Sequence, residues 1–502
     1  MSKIPCRFLI LPACLIFVLQ AGSTYGWAVG TDSVANGSET PSAECDERQP
    51  EDAITTSDSR TDSRQIADEE YRLVWVQDRS SDGRDVLATG SQLRLMALDS
   101  SQPDKERVLS AQEGSYCKPL LSSDGQNVVY SDHSVRQVWV IPFAGGEARV
   151  LCDGFALDVW HDPSRRQDWV YVGEWIGQPE SFRLRNVRRV LLEQPAVSEP
   201  VWSSTQISPD NFQLGAGGRY AAGEFPWPAG GIADLQNGTW QKRATGCWSS
   251  MAPDRSGVSW VFDGPHRNLQ MFSPGNSRGW TIPVSESPGL GGHEAFHPRW
   301  SNDVRYFVVT GPYREKGPVN AISGGGRGVE IHIGRFRRDL QGVQEWLQVT
   351  ENRHADFFPD LWLRGGGVES IDSALLQQTM SANAEPLQRL QVEVRCLETS
   401  QVPQPRSILP YRRALVVNRY LVSEVLQGEL KEKQILIAHW GILDGAIQAS
   451  ARIRRGQRFT LQLEDYLEHR ELAGERLLLD GDRGERRIFL DVTQGIPDAV
   501  RN

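Results

Sequence analysis

One phrase recurs through the middle of the chain: a short apolar run, a polar turn built on Asp, Ser or Gly, and a second apolar run that stops near a glycine. It reads KPLLSSDGQNVVYSD at 118–132, HDPSRRQDWVYVGEW at 161–175, ISPDNFQLGAGG at 207–218, WSSMAPDRSGVSWVFDG at 248–264 and HPRWSNDVRYFVVTGP at 297–312. With Asp124, Pro163, Asp210, Asp254 and Asp303 as markers, the spacing is roughly 40 to 50 residues, the length of one four-stranded propeller blade. The segments between the markers, such as LRLMALD (93–99) and RQVWVIPFAGGEARVL (136–151), have strand length and composition, and Asp124-Gly125 and Gly145-Gly146 are hairpin signals. The phrase is therefore first a scaffold element.

A last partial copy, HADFFPDLWL (354–363), lacks downstream strands, and the first unit at Leu73 lacks an upstream one. The simplest solution is that 354–363 supplies the missing strand and closes a six-bladed ring with no open edge. Seven blades is the alternative, because 180–245 is irregular. These copies, LLSSDGQNVVYSD, ISPDN, MAPDRSGVSWVFDG and HPRWSNDVRYFVVTG, each followed by a strand like VWVIPFAGGEARVL, resemble the β-propeller repeats of TolB-like proteins over about residues 70–365. The resemblance implies a fold; propellers with this repeat serve as binding platforms, peptidase accessory domains and polysaccharide lyases. SND at 301–303 and PDR at 253–255 depart from the usual PDG. GxSxG is absent, and no α/β segment follows that could house a peptidase.

Lys3 and Arg7 precede an apolar run, FLILPACLIFVLQAGS, with small residues at Ala21–Ser23, so residues 1–28 read as a signal peptide and the mature chain as exported, periplasmic or extracellular. A lipid attached at Cys14 or a retained N-terminal anchor is the lesser alternative. Residues 29–70 are polar and acidic and read as a disordered spacer, and no later stretch is long and apolar enough for a membrane span. After the propeller (71–364) and a linker (365–388) with a short helix near 371–380, five β segments between 389 and 497 fit a small β barrel or sandwich. This part resembles, over that domain alone, an oligonucleotide/oligosaccharide-binding or netrin-like barrel. The whole is all-β.

In an exported chain the widely spaced cysteines stand in an oxidising setting, and Cys117 with Cys152, which begin and end one repeat unit, is the pair to test for a disulfide. The net charge of -10 does not favour nucleic acid. Arg452, Arg454, Arg455 and Arg458 are read as a solvated strand edge.

The leading functional reading is an exported, non-catalytic binding or scaffold protein with no cofactor, using a propeller face for a cell-envelope or extracellular protein or an acidic glycan. FPWPAGG (225–231) reads as a loop insertion whose Phe225 and Trp227 offer rings to a sugar or partner, and Trp175, Trp202, Trp240 and Trp248 cluster nearby. Trp139, Trp260, Trp300 and Trp362 recur at blade positions and read as core. AHWGILDG (438–445) reads as a compact turn whose Trp440 contacts a ligand.

The rival reading is a metal-assisted polysaccharide lyase or hydrolase at the propeller channel. In it His293, His297 and His354 bind a divalent metal with Glu294 or Asp356 as an oxygen ligand. His266, on the loop FDGPHRN, removes a proton α to a uronate carboxylate while Arg267 or Arg299 neutralises the developing charge. GHEAFH places His293 and His297 in a Gly/Pro-bounded loop and lacks the helical register of HExxH.

Overall fold

The computed structural model describes residues 69–493 except 178–182, 275–278, 314–325, 368, 383–386, 409–412, 444, 470–471, 473–474 and 482–485. The signal peptide, its cleavage neighbourhood, Cys45 and nearly all of the acidic spacer lie outside the described residues.

Strands β1 (Tyr71–Asp78), β2 (Leu93–Asp99) and β3 (Arg107–Val108) begin the chain's first sheet; β4 (Tyr116–Leu121), β5 (Asn127–Asp132), β6 (Gln137–Pro142) and β7 (Arg149–Asp153) make the second. The third holds β8 (Phe155–Asp162), β9 (Gln167–Trp175), β10 (Leu184–Leu191) and β11 (Gln194–Trp202). Next come β12 (Phe212–Leu214), β13 (Tyr220–Glu224) and β14 (Ala229–Asp234), then the long β15 (Thr239–Met251), then β16 (Ser259–Asp263), β17 (Asn268–Phe272) and β18 (Trp280–Pro283). The N-terminal half of β15 pairs with β14 and its C-terminal half with β16, so this one strand is the outermost of one blade and the innermost of the next. β19 (Glu294–Trp300), β20 (Tyr306–Tyr313), β21 (Glu330–Phe336) and β22 (Val343–Gln348) follow, and β23 (Ala355–Leu363) returns to pair antiparallel with β1.

The first strands form a closed ring among the described residues: β4 touches β8, β8 touches β12, β12 touches β15, β15 touches β19, β19 touches β23, and β23 touches β4. Strands near the axis are buried on both faces, as in β16 and β20, because each blade is packed between two others; the outer β11 is mostly exposed. Alternate residues serve opposite neighbours. Val128 and Tyr130 enter one core cluster and Val129 another. Trp260 stacks on Trp300 with centroids 4.4 Å apart, joining two blades.

The marker aspartates have one physical job. Asp124 accepts from the Gln126 amide, Asp254 from Ser256 and Asp303 from Arg305, each a side chain fixing its own turn between first and second strands. In the third blade Asp162, beside Pro163, does this through Ser164. Asp210 is the exception: the turn of its blade is built on Gly215–Gly218, and Asp210 precedes β12 and is buried. The stretch Glu294–His297 of GHEAFH is likewise part of an innermost strand rather than a loop. Pro119, Pro298 and Pro359 are tolerated there because an innermost strand is a sheet edge.

Cys117 and Cys152 are free and lie on β4 and β7, the two ends of one sheet. Three strand spacings, about 14 Å, exclude the disulfide. FPWPAGG is the tight β13–β14 connection, not an insertion, and AHWG lies in a strand rather than a turn.

Helix α1 (Ser373–Ala382) packs Leu376 and Met380 on the propeller core. β24 (Leu390–Glu398), β25 (Ala414–Gln427), β26 (Gln434–Leu443), β27 (Ala446–Ile447), β28 (Arg458–Asp465), β29 (Leu477–Leu478) and β30 (Ile488–Asp491) complete the chain. The order β26-β30-β28-β24-β25, with β25 pairing back to β26, closes a five-stranded barrel around Val394, Tyr420, Ile437 and Phe459.

Candidate functional site

An innermost strand has no neighbour on its axial side, so its outward N–H and C=O groups need other partners. The ring supplies them with polar side chains placed at a repeated irregularity. Register breaks occur at Cys117/Leu120, Ala156/Asp158, Cys247/Ser250, Phe296/Arg299 and Phe357/Asp360. Four of these breaks hold a residue in left-handed backbone, namely Lys118, Trp248, His297 and Phe358.

Just past the breaks, Asp158, Arg299 and Asp360 are bonded together. Arg299 Nη2 donates to Asp158 Oδ1 (2.5 Å), Nε to Asp360 Oδ1 (2.7 Å) and Nη1 to Asn211 Oδ1 (3.2 Å). The outer oxygens accept from the neighbouring strands: Leu214 N to Asp158 Oδ2 (2.8 Å) and Leu121 N to Asp360 Oδ2 (2.7 Å). Gln213 donates to the Trp300 carbonyl (3.0 Å) and accepts from Ser250. Burial works against the Arg299 charge, but the two carboxylates outweigh it and hold the guanidinium protonated. Burial lifts the Asp158 carboxyl above its ordinary value, with Arg299 opposing.

This network floors a cavity of about 550 Å³ at the ends of the first strands. Trp160 and Trp362 stand in its wall, each laid against a glycine: a Cβ on Gly218 would come within 2.4 Å of Trp160, and one on Gly125 within 2.7 Å of Trp362. Trp362 Nε1 donates to the Ser123 carbonyl (2.8 Å). Ser123, His161 and Asp168 meet at the rim, but Ser123 Oγ and His161 Nδ1 both bind Asp168 Oδ1, at 2.7 Å each. A serine nucleophile needs the far imidazole nitrogen, so this trio is not a triad.

Deeper in the ring Lys118 Nζ donates to the Pro209 carbonyl (3.0 Å); burial, with the charge of Arg299, lowers its ammonium to about 7. Burial raises Glu224 to about 7 and, with the Glu224 charge, raises Asp210 as well. Cys247 Sγ lies 3.0 Å from His266 Nε2. Burial pushes that thiol up and that imidazole down to about 3, so both are neutral, the opposite of an activated thiolate pair.

Of the candidate residues of the rival reading, His266 and His297 come together, both packed on the Phe296 ring. His266 is sealed between Phe262 and Phe296. His297 spends Nδ1 on Thr310 (3.0 Å) and Nε2 on the Val86 carbonyl (2.9 Å), contributed by the long β1–β2 loop. Burial, with the charges of Arg79, Arg327 and Arg94, lowers the His354 imidazole. His293 is only partly buried, and Asp356 accepts from Trp75 and Gln77. Arg267 binds the Gly292 carbonyl, apart from Arg299. Among the described residues no three His, Cys, Asp or Glu side chains form a metal-holding group.

Of the proposed binding rings, Phe225 is 3% exposed and packs on Trp202 and Trp240; Trp202 and Trp248 are buried too. Trp227 is 42% exposed, outside the cavity lining. Trp440 is half-buried under the Arg413 guanidinium at 4.5 Å. Trp362, assigned to the core from sequence, packs against the core and also lines the cavity. Asp158, Asp360 and Trp160 were missed. A signal for two floor residues was present in HPRW and FPDL, where the residue after the proline, Arg299 or Asp360, enters the floor network.

The fold and site define a closed-ring β-propeller with a channel-mouth cavity, followed by a small closed barrel. No family model matches the chain, and no curated protein matches it. Among solved structures it is similar to TolB from Acinetobacter baumannii at 10% identity and TM-score 0.40, over 58% of this chain and 66% of that one, just under two thirds of its length. A chain in a nidogen/laminin complex is similar at 8% identity and TM-score 0.38, over 58% of this chain and 98% of that one. The Cps50 (Swd1) β-propeller domain of Myceliophteria thermophila is similar at 12% identity and TM-score 0.33, over 56% and 91%.

Proposed function

We propose that this chain is a non-catalytic binding protein that receives a protruding segment of a partner protein in the channel-mouth cavity, and that the mature chain is exported behind its N-terminal apolar run. One observation carries the binding reading. The charged groups beneath the cavity, Asp158, Arg299 and Asp360, spend their hydrogen bonds on one another and on neighbouring strands. That leaves a preformed polar floor between two tryptophan walls, suited to holding a ligand and lacking a free nucleophile or base. No helix among the described residues is long and apolar enough to cross a membrane.

The test is calorimetric titration of the full chain against peptide and oligosaccharide panels, with a parallel assay for consumption of uronate-containing polysaccharides. Binding of a peptide without turnover, weakened about tenfold or more in Trp160→Ala/Trp362→Ala, supports the reading. Turnover by the wild-type chain that His266→Ala abolishes would return the site to the lyase reading. Export is tested separately by N-terminal sequencing of the protein recovered outside the cytoplasm.

A further inference from the structure

The barrel carries a charge pattern that the propeller cavity does not use. Arg395 on β24 and Arg458 on β28 are directly opposite in the antiparallel register, and both occupy the outward alternation of their strands. Like charges so placed repel. Beside them the turn 454–457 is held against the end of β24, with Gly456 N donating to the Cys396 carbonyl and Cys396 N donating to that of Gln457. Gly456 has φ +91°, which a side chain would resist, so the turn fixes Arg454 and Arg455 at the same end of the face. Arg452 precedes them. Arg452, Arg454, Arg455 and Arg458 are exposed and Arg395 is half-buried, and none of the five is ion-paired among the described residues.

The carboxylates of this face do not neutralise them. Glu393 and Glu424 oppose each other across β24 and β25, and Glu398 is paired with Arg419. In a chain of net charge -10, five unpaired arginines on one barrel end form a locally cationic surface.

We infer that this end of the barrel binds an acidic polysaccharide. Planar guanidinium groups suit the bidentate recognition of carboxylate or sulfate. The outward residues around them, Gln391, Gln457, Thr460 and Gln462, carry amides and a hydroxyl that match sugar hydroxyls. Among the described residues of this face no aromatic side chain stands beside the arginines to stack on bases, and the large apolar side chains next to them, Leu421 opposite Arg395 and Ile453, are half-buried rather than exposed to enter a lipid surface.

The experiment measures binding of the full chain to a sulfated glycosaminoglycan and a polyuronate, with dextran, a single-stranded oligonucleotide of matched charge and phosphatidylglycerol vesicles alongside, at two salt concentrations. At least one acidic polysaccharide should bind, more weakly at high salt. Arg454→Ala/Arg455→Ala/Arg458→Ala should weaken it by roughly tenfold or more, with an unchanged melting curve. The conservative triple Arg→Lys variant should fall between, because lysine keeps the charge and loses the fork. A propeller control, Arg165→Ala/Arg185→Ala/Arg337→Ala, should bind like the wild type. The inference is overturned if neither polysaccharide binds, if the triple alanine variant or the propeller control contradicts this pattern, or if the oligonucleotide or the vesicles bind more tightly through the same three arginines.

Discussion

Arg299 reaches three other blades: Asp158 on β8, Asp360 on the closing strand, and Asn211 just before β12. Removing it strands two buried carboxylates, so Arg299→Met should cost about 3–5 kcal/mol in urea unfolding. Adding Asp158→Asn and Asp360→Asn should recover most of the loss, since the asparagine oxygens still accept from Leu214 and Leu121. Glu224 offers a pH test. Burial raises its carboxyl from 4.5 to about 7, so between those values the folded protein keeps a proton that the unfolded chain has released. Its favourable contribution is present in acid and lost as pH rises toward 7. Glu224→Gln keeps the acceptor for the Ser249 amide, bonded at 2.7 Å. It should therefore be more stable than wild type at pH 8, with the difference vanishing below about pH 4.5. His266 and His332 run the other way: lowered from 6.5 to about 3 and about 4, they are protonated first in the unfolded chain, and stability falls as pH drops below 6.5.

At the scale of elements, the turns after the first strands set the cavity wall. Gly217 and Gly218 are adjacent, yet a Cβ on Gly217 meets nothing within 4 Å, whereas Gly218 has φ +66° and lies against Trp160. Gly218→Ala should lower stability by about 1–3 kcal/mol and weaken ligand binding by displacing Trp160. Gly217→Ala should change stability by less than about 0.5 kcal/mol. Thermal melts of the two variants are a direct check. These turns also explain what was readable beforehand. Asp124, Asp254 and Asp303 were legible because a turn aspartate acts locally, on an amide two residues away. Asp210 deceived because SPDN imitates that turn while its carboxylate is buried in the ring interior. The return of β23 to β1 was legible from an unfinished last unit and an incomplete first. The floor was not, because Asp158, Arg299 and Asp360 lie more than a blade apart in sequence and meet only after the ring forms. The buried Phe225 was misjudged because flanking prolines mark a bend without saying which side of it faces water.

At the scale of the molecule, the propeller and barrel have separate cores. Residues from β1 to α1 form three apolar clusters, and the barrel strands form three others with no shared member. Scanning calorimetry should resolve two transitions. Phe459→Ala, which empties the barrel core, should lower one of them and leave the other in place; a single transition shifted as a whole would show that the two parts unfold together. The pairing of β1 with β23 has a further consequence, for synthesis. While the chain is being made, β1 has its outer neighbours β2 and β3 but must wait for the rest of the ring, roughly 15 to 60 s at ordinary translation rates, before its inner edge is covered. Throughout that interval the nascent chain carries an unpaired strand of the kind that recruits other chains. This makes the edge of Tyr71–Asp78 the place where a ribosome-associated chaperone would have the most to protect.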